Sequence, residues 1–280
     1  MSTAGRHPGA YSYRAKLPWA VWALYRAVRV PAVTSAFAGF WFFAVVLAWL
    51  VLPLAALSVL AGDDRSARVL RCQRILALSF RGFHGYMRAL RLVDARVQPL
   101  PPREPTDARG RVLVANHTTL VDVTALLATY PRVCCVAKDS IARSPFVGRL
   151  LRLCGFIPAG HDLLNRGDAI TEAVRWLEAG FDVLVFPEGT RSPPGSLHPF
   201  QRGAFEIAKR AGTAVVPIVM TCAPLALTKG LPFWRQPDEC AVLTASPQAP
   251  IQSTSWTNSR SLRAAVENMY REWLGLAPRS

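Results

Sequence analysis

Beyond residue 110, short apolar runs alternate with segments whose apolar positions recur every three or four residues. The runs Arg111–Ala115, Val133–Ala137, Val183–Phe186, Ala214–Met220 and Ala241–Thr244 are short and rich in Val, with Leu and Ile in several. Near-continuous apolar runs of this length read as strands buried on both faces. Helical patterns fall at Val121–Thr129, Pro145–Cys154, Asp168–Ala179, Arg202–Ala211 and Ser261–Leu274. The alternation predicts an α/β domain over 111–280, built on a mostly parallel sheet flanked by helices.

The first third has a different texture. Residues 1–29 are polar and basic, with Arg6, Arg14, Lys16, Arg26 and Arg29. From Val30 to Gly62 there is no charged residue, and Phe37–Leu60 is nearly continuous apolar sequence. About 20 apolar residues suffice to cross a bilayer, so 30–62 is expected to be membrane-embedded. Pro53 leaves two forms open, a span kinked at the proline or a re-entrant hairpin, and a buried pair of core helices is the soluble alternative. Both flanks are basic, so charge bias does not orient the segment, although a hairpin would leave both ends on the cytoplasmic side.

Across 63–97 arginines recur at 65, 68, 71, 74, 81, 88 and 91 among apolar residues such as Val69, Leu76, Phe80 and Phe83. Such a basic amphipathic helix suits a membrane surface, and it equally suits a domain helix with a solvated basic face. The proline-rich stretch at 98–110 reads as a linker into the α/β domain.

Composition supports this picture. Apolar residues make up 51% of the chain and charged residues 18%, and the net charge is +15. An excess of that size favours anionic partners. The arginines cluster beside the apolar segment and no nucleic-acid motif is present, which points to anionic lipid surfaces and not to nucleic acid. The six cysteines form no C-x-x-C pair and read as reduced, packed thiols.

Two strand ends carry chemistry. Val112–Ala115 runs into Asn116-His117-Thr118-Thr119-Leu120-Val121-Asp122. On one regular helix, residues five apart would splay by about 140°. His117 and Asp122 can meet only if the histidine lies on the strand-to-helix turn and the aspartate on the first helical turn. The carboxylate would then hold one imidazole nitrogen and leave the other to act as a general base. No G-x-S-x-G elbow and no H-E-x-x-H cluster is present, so the nucleophile is expected to come from the substrate, with no metal. Alone, a His-x4-Asp spacing is a weak signal. The second strand end strengthens it: Val183–Phe186 is broken by Pro187 and followed by Glu188-Gly189-Thr190-Arg191. Gly189 permits close backbone approach to a ligand, and Arg191 suits a phosphate. A loop salt bridge between Glu188 and Arg191 is the plain alternative.

Asn116-His117-x4-Asp122 followed by Phe186-Pro187-Glu188-Gly189-Thr190-Arg191 resembles the glycerolipid acyltransferases typified by 1-acylglycerol-3-phosphate acyltransferase. Ala137-Lys138, Ser144-Pro145-Phe146-Val147-Gly148, Gly155-Phe156-Ile157 and Val216-Pro217-Ile218-Val219 match in the same order. The resemblance covers roughly 111–220. It implies a glycerol-3-phosphate acyltransferase-like fold in which His117, oriented by Asp122, activates a lysophospholipid hydroxyl. The donor would be acyl-coenzyme A or acyl-carrier protein, with no bound cofactor. It further implies substrate-binding roles for Asn116, Thr119, Lys138, Glu188, Gly189, Thr190 and Arg191, with Val216 and Pro217 on the acyl side. A cytoplasmic-membrane location with the catalytic domain on the cytoplasmic side follows. Thr119 stands where the family usually has serine, and His161 stands where lysophosphatidate enzymes often carry arginine. That second departure widens the expected acceptors to other lysolipids or a specialised hydroxylated acyl lipid. A thioesterase with water as acceptor and a noncatalytic lipid-binding scaffold are the competing classes.

Overall fold

The computed structural model describes residues 19–103, 108–142, 144, 148–159, 167–229, 237 and 239–277, without the side chains of 19–26, 29, 30, 37, 41, 43–48, 142 and 167. Two long helices open it, α1 (Trp19–Leu60) and α2 (Arg65–Ala89). Then follow β1 (Val93–Val97), β2 (Val112–Ala115), α3 (Asp122–Thr129), β3 (Val133–Lys138), α4 (Asp139–Ala142), α5 (Gly148–Leu153), β4 (Ile157–Ala159) and α6 (Gly167–Glu178). The remainder is β5 (Asp182–Val185), α7 (Gly203–Ala211), β6 (Ala214–Ala223), β7 (Ala241–Pro247), β8 (Ile251–Gln252) and α8 (Ser259–Trp273). The predicted α/β sheet is present, in the order β1-β7-β6-β2-β5-β3-β4, with β8 beside β6. Among the described residues only β6–β7 and β6–β8 pair antiparallel. β2 and β5 are buried at every position, which is why Val112–Ala115 and Val183–Val185 read as unbroken apolar runs, with the ion-paired Asp182 at the start of β5.

The sheet begins earlier than the sequence pattern suggested. β1 lies inside the segment read as helical to residue 97 and pairs parallel with β7 along Val93–Val97. The unit therefore starts before 111. The proline-rich connection is pinned as well. Tyr130 donates to the Gln98 carbonyl (2.6 Å), and the Arg103 guanidinium and Arg111 N–H both donate to the Asp182 carboxylate (2.9 and 2.7 Å).

Helix α2 is a domain helix. Asp64 caps its start by accepting the Ala67 N–H (2.7 Å). Its stripe Val69, Cys72, Leu76, Phe83 and Met87 is buried. The buried Gln73 amide donates to the carbonyls of Val133 (2.9 Å) and Cys154 (3.0 Å), tying α2 to both ends of the β3–α5 region. Arg65 pairs with Glu172 of α6 and lies over the Trp176 ring at 4.8 Å. Gly155 makes this packing possible. Its φ is +77°, and a Cβ there would stand 2.8 Å from Cys134 Sγ and 2.9 Å from Val69 Cγ1.

Helix α1 is continuous through Pro31 and Pro53, so 30–60 is one helix and not a hairpin. At 42 residues it is about 63 Å long. Val33, Ala36, Val51 and Ala55 pack into the core. Val28, Phe42, Trp49, Leu50, Leu52, Leu57, Val59 and Leu60 are exposed. Among the described residues no helix is long and apolar enough to cross a membrane. The span expected at Phe37–Leu60 falls partly outside the described side chains, and residues 1–18 lie outside the described residues.

Candidate active site

Neighbouring parallel strands bring the two sequence motifs together. β2 and β5 pair with Val114 opposite Val185, so the chains leaving them emerge side by side at their C-terminal ends. His117 and Glu188 follow directly. The Glu188 Oε1 accepts the His117 N–H (2.6 Å), and the His117 carbonyl accepts the Ser192 N–H (3.0 Å). The peptide groups on both sides of His117 are thus held by the second motif. The alternative of a loop salt bridge between Glu188 and Arg191 is not how these residues are used.

His117 and Asp122 meet in the way the spacing required, on the turn and at the first residue of α3. Nδ1 of His117 lies 2.9 Å from Oδ2 of Asp122, which is fully buried. That same oxygen accepts the N–H groups of Thr118 (2.6 Å) and Thr119 (2.8 Å), while Oδ1 accepts the Thr119 hydroxyl. With two backbone N–H groups also donating to it, this oxygen is an acceptor, and it suits the tautomer in which Nδ1–H donates to it and Nε2 faces away as the proton-accepting nitrogen. The His117 ring rests on Phe186, with centroids 4.6 Å apart.

His117 lines a cavity of about 940 Å³. Its walls are mostly apolar and include Val33, Ala36 and Phe40 of α1 and Leu76, Phe83 and Met87 of α2. Lys138, Gly189, Thr190 and Arg191 line its polar part. Gly189 has φ +66°, a conformation that favours glycine at this turn, and a Cβ there would have to displace the Gln201 amide, 2.6 Å away. Arg191 donates from Nη1 to the Leu227 carbonyl (3.0 Å).

Other residues expected to touch substrate sit elsewhere. Asn116 is buried, with its amide donating to the Met220 carbonyl (2.9 Å) and accepting the Met220 N–H (2.7 Å). It fastens the end of β2 to β6. Thr119 orients Asp122. Val216 and Pro217 are buried within β6, and neither is among the cavity-lining residues. Glu188 is 5% exposed and spends its oxygens on His117 and Ser192. Burial, and secondarily the charge of Asp122, pushes its carboxyl up to about 8 against the pull of its N–H donors. His161 and Arg166 lie outside the described residues.

Sequence reasoning missed two features. Leu227, on the segment after β6, has φ +52°, and its carbonyl accepts both the Arg191 guanidinium and the Leu120 N–H (3.1 Å). Lys229 donates from Nζ to the Thr190 hydroxyl (3.2 Å). Neither residue belongs to a motif, so nothing local in the sequence marks them.

A parallel-sheet α/β protein with a carboxylate-held histidine in an apolar cavity is the class that fold and site define. A family model described as Acyltransferase matches residues 97–221. The 1-acyl-sn-glycerol-3-phosphate acyltransferase alpha of Mus musculus is 30% identical over 203 residues, covering 71% of this chain and 67% of the mouse protein. The chloroplastic 1-acyl-sn-glycerol-3-phosphate acyltransferase of Arabidopsis thaliana is 33% identical over 117 residues, 41% of this chain. The match spans only about a third of the length of that plant relative and its Brassica napus counterpart. The crystal structure of the 1-acyl-sn-glycerophosphate acyltransferase of Thermotoga maritima superposes with a TM-score of 0.64 at 23% identity, covering 89% of this chain and 96% of that one. The chain belongs to the acyltransferase family.

Proposed function

We propose that this protein transfers an acyl chain from the thioester of acyl-coenzyme A or acyl-carrier protein to the hydroxyl of a lysophospholipid, with 1-acylglycerol 3-phosphate as the acceptor. The observation that carries the reading is His117, locked through Nδ1 on buried Asp122 in the wall of an apolar cavity that also holds Arg191. Unprotonated Nε2 takes the proton of the acceptor hydroxyl as its oxygen attacks the thioester carbonyl. The imidazolium that forms is stabilised by Asp122. The tetrahedral intermediate collapses with cleavage of the C–S bond, and the proton on Nε2 passes to the departing thiolate. No bound cofactor takes part. The apolar walls favour the acyl chains and keep water from competing as acceptor.

Arg191, Lys138 and the backbone at Gly189 and Thr190 receive the anionic headgroup. The exposed apolar surface of α1 attaches the protein to a membrane, where both lipids reside, on its cytoplasmic face. Anionic headgroups there complement the basic chain.

Product analysis with purified protein tests this reading. A panel of lysolipids is offered with an acyl-coenzyme A and an acyl-carrier protein as donors. Diacyl product from lysophosphatidate is expected. Release of free fatty acid alone would make the protein a thioesterase and overturn the acceptor assignment.

A further inference from the structure

The residue next to Arg191 holds a second cation, which comes from a distant part of the chain. Lys229 is exposed, and its ammonium reaches the hydroxyl of Thr190, the residue next to Arg191 (3.2 Å). The segment that delivers it is fixed at Leu227, whose single carbonyl accepts from Leu120 in the first motif and from Arg191 in the second. A leucine at φ +52° is strained, and such a conformation persists only where its surroundings hold it. Here the two donors hold it. Thr190 and Arg191 line the polar part of the cavity, and Lys229, outside that lining, is held to it through the Thr190 hydroxyl, so that Arg191 offers a planar fork and Lys229 a mobile point charge.

We infer that Lys229 is a specificity-determining residue, which pairs with Arg191 to grip the phosphate monoester of the acceptor. The inference rests on the acyl-transfer reading of the same site and adds the residue that selects the headgroup. A phosphate monoester carries close to two negative charges and three acceptor oxygens. One bidentate arginine leaves charge and an oxygen unanswered, and the Lys229 ammonium, on a flexible stem that reaches Thr190 next door, can turn to supply both. The Thr190 hydroxyl, which now accepts from Lys229, becomes free to donate to the same phosphate when the ammonium turns to the ligand. An acceptor without phosphate gains nothing from this residue.

The test compares wild type, Lys229→Gln and Lys229→Arg with two acceptors that differ only in the phosphate, 1-acylglycerol 3-phosphate and 1-acylglycerol. Lys229→Gln is expected to raise KM for the phosphate-bearing acceptor about tenfold, the size of one charge-assisted hydrogen bond, with kcat little changed. KM for 1-acylglycerol should stay constant, and Lys229→Arg should restore most of the selectivity. Equal changes with both acceptors, or none with either, would overturn the inference while leaving acyl transfer intact. Direct binding of the two lysolipids to His117→Ala protein, with and without Lys229→Gln, gives the same discrimination without turnover. A protein that acylates no lysolipid would sink the reaction assignment, and loss of selective binding with Lys229→Gln would still identify the phosphate grip.

Discussion

The carboxyl of Glu188 accepts the backbone N–H of His117 at 2.6 Å, across 71 residues of sequence. The second motif therefore positions the first. Glu188→Gln keeps an acceptor at this place, whereas Glu188→Ala leaves the His117 N–H without a partner. Steady-state kinetics should show kcat falling about tenfold or more for the alanine variant, with a much smaller loss for glutamine.

The same carboxyl gives stability a pH dependence. Its value in the folded protein is pushed up to about 8, from 4.5 for a free glutamate. The folded state thus binds the proton more tightly than the unfolded state, and the stabilisation linked to that proton is full below pH 4.5 and lost as pH rises through 8. Wild-type Tm is expected to fall relative to that of Glu188→Gln across this window. A constant difference between the two proteins from pH 5 to 9 would remove the linkage.

Asp122 is the hub of five donors around the turn, and one oxygen serves His117, Thr118 and Thr119 together. Asp122→Asn cannot satisfy both the imidazole and the backbone donors, and it favours the wrong tautomer. A fall in kcat of about 10³ or more is expected, with lowered stability. Thr119→Val removes a hydroxyl that donates to Oδ1 and accepts the Val121 N–H, and should cost about 1–2 kcal/mol of stability in denaturant unfolding.

Membrane attachment should resist salt. Trp49, Leu57 and Leu60 are 77%, 61% and 83% exposed on α1, and apolar burial is not screened. In about 1 M salt, where the Debye length is about 3 Å, the wild-type protein is expected to remain with the membrane fraction. Serine at Trp49, Leu57 and Leu60 should release it in part. Complete extraction of wild type by salt alone would assign the attachment to the basic residues.

Much of this fold was legible because β2 and the Val183–Val185 part of β5 are buried on both faces and read as apolar runs. The His117–Asp122 contact was legible because only a turn at a strand end lets a five-residue spacing close. β1 was not. It is an edge strand, Val-Asp-Ala-Arg-Val, half-buried along most of its length, and only three residues separate it from α2. The roles of Asn116 and Glu188 were also hidden, since a polar residue in a motif looks the same whether it faces a ligand or a neighbouring backbone. Lys229 was invisible for a different reason: only the fold brings it 3.2 Å from Thr190.

The most direct test of the central claim is single-turnover acyl transfer by His117→Ala compared with wild type, measured as diacyl product from lysophosphatidate. Folding is checked by thermal unfolding, and acceptor affinity by direct binding. Loss of about 10²–10⁴ in rate is expected, with Tm and binding close to wild type, because only the proton acceptor has been removed. Near-normal transfer by the alanine variant would contradict the assignment of His117 as general base.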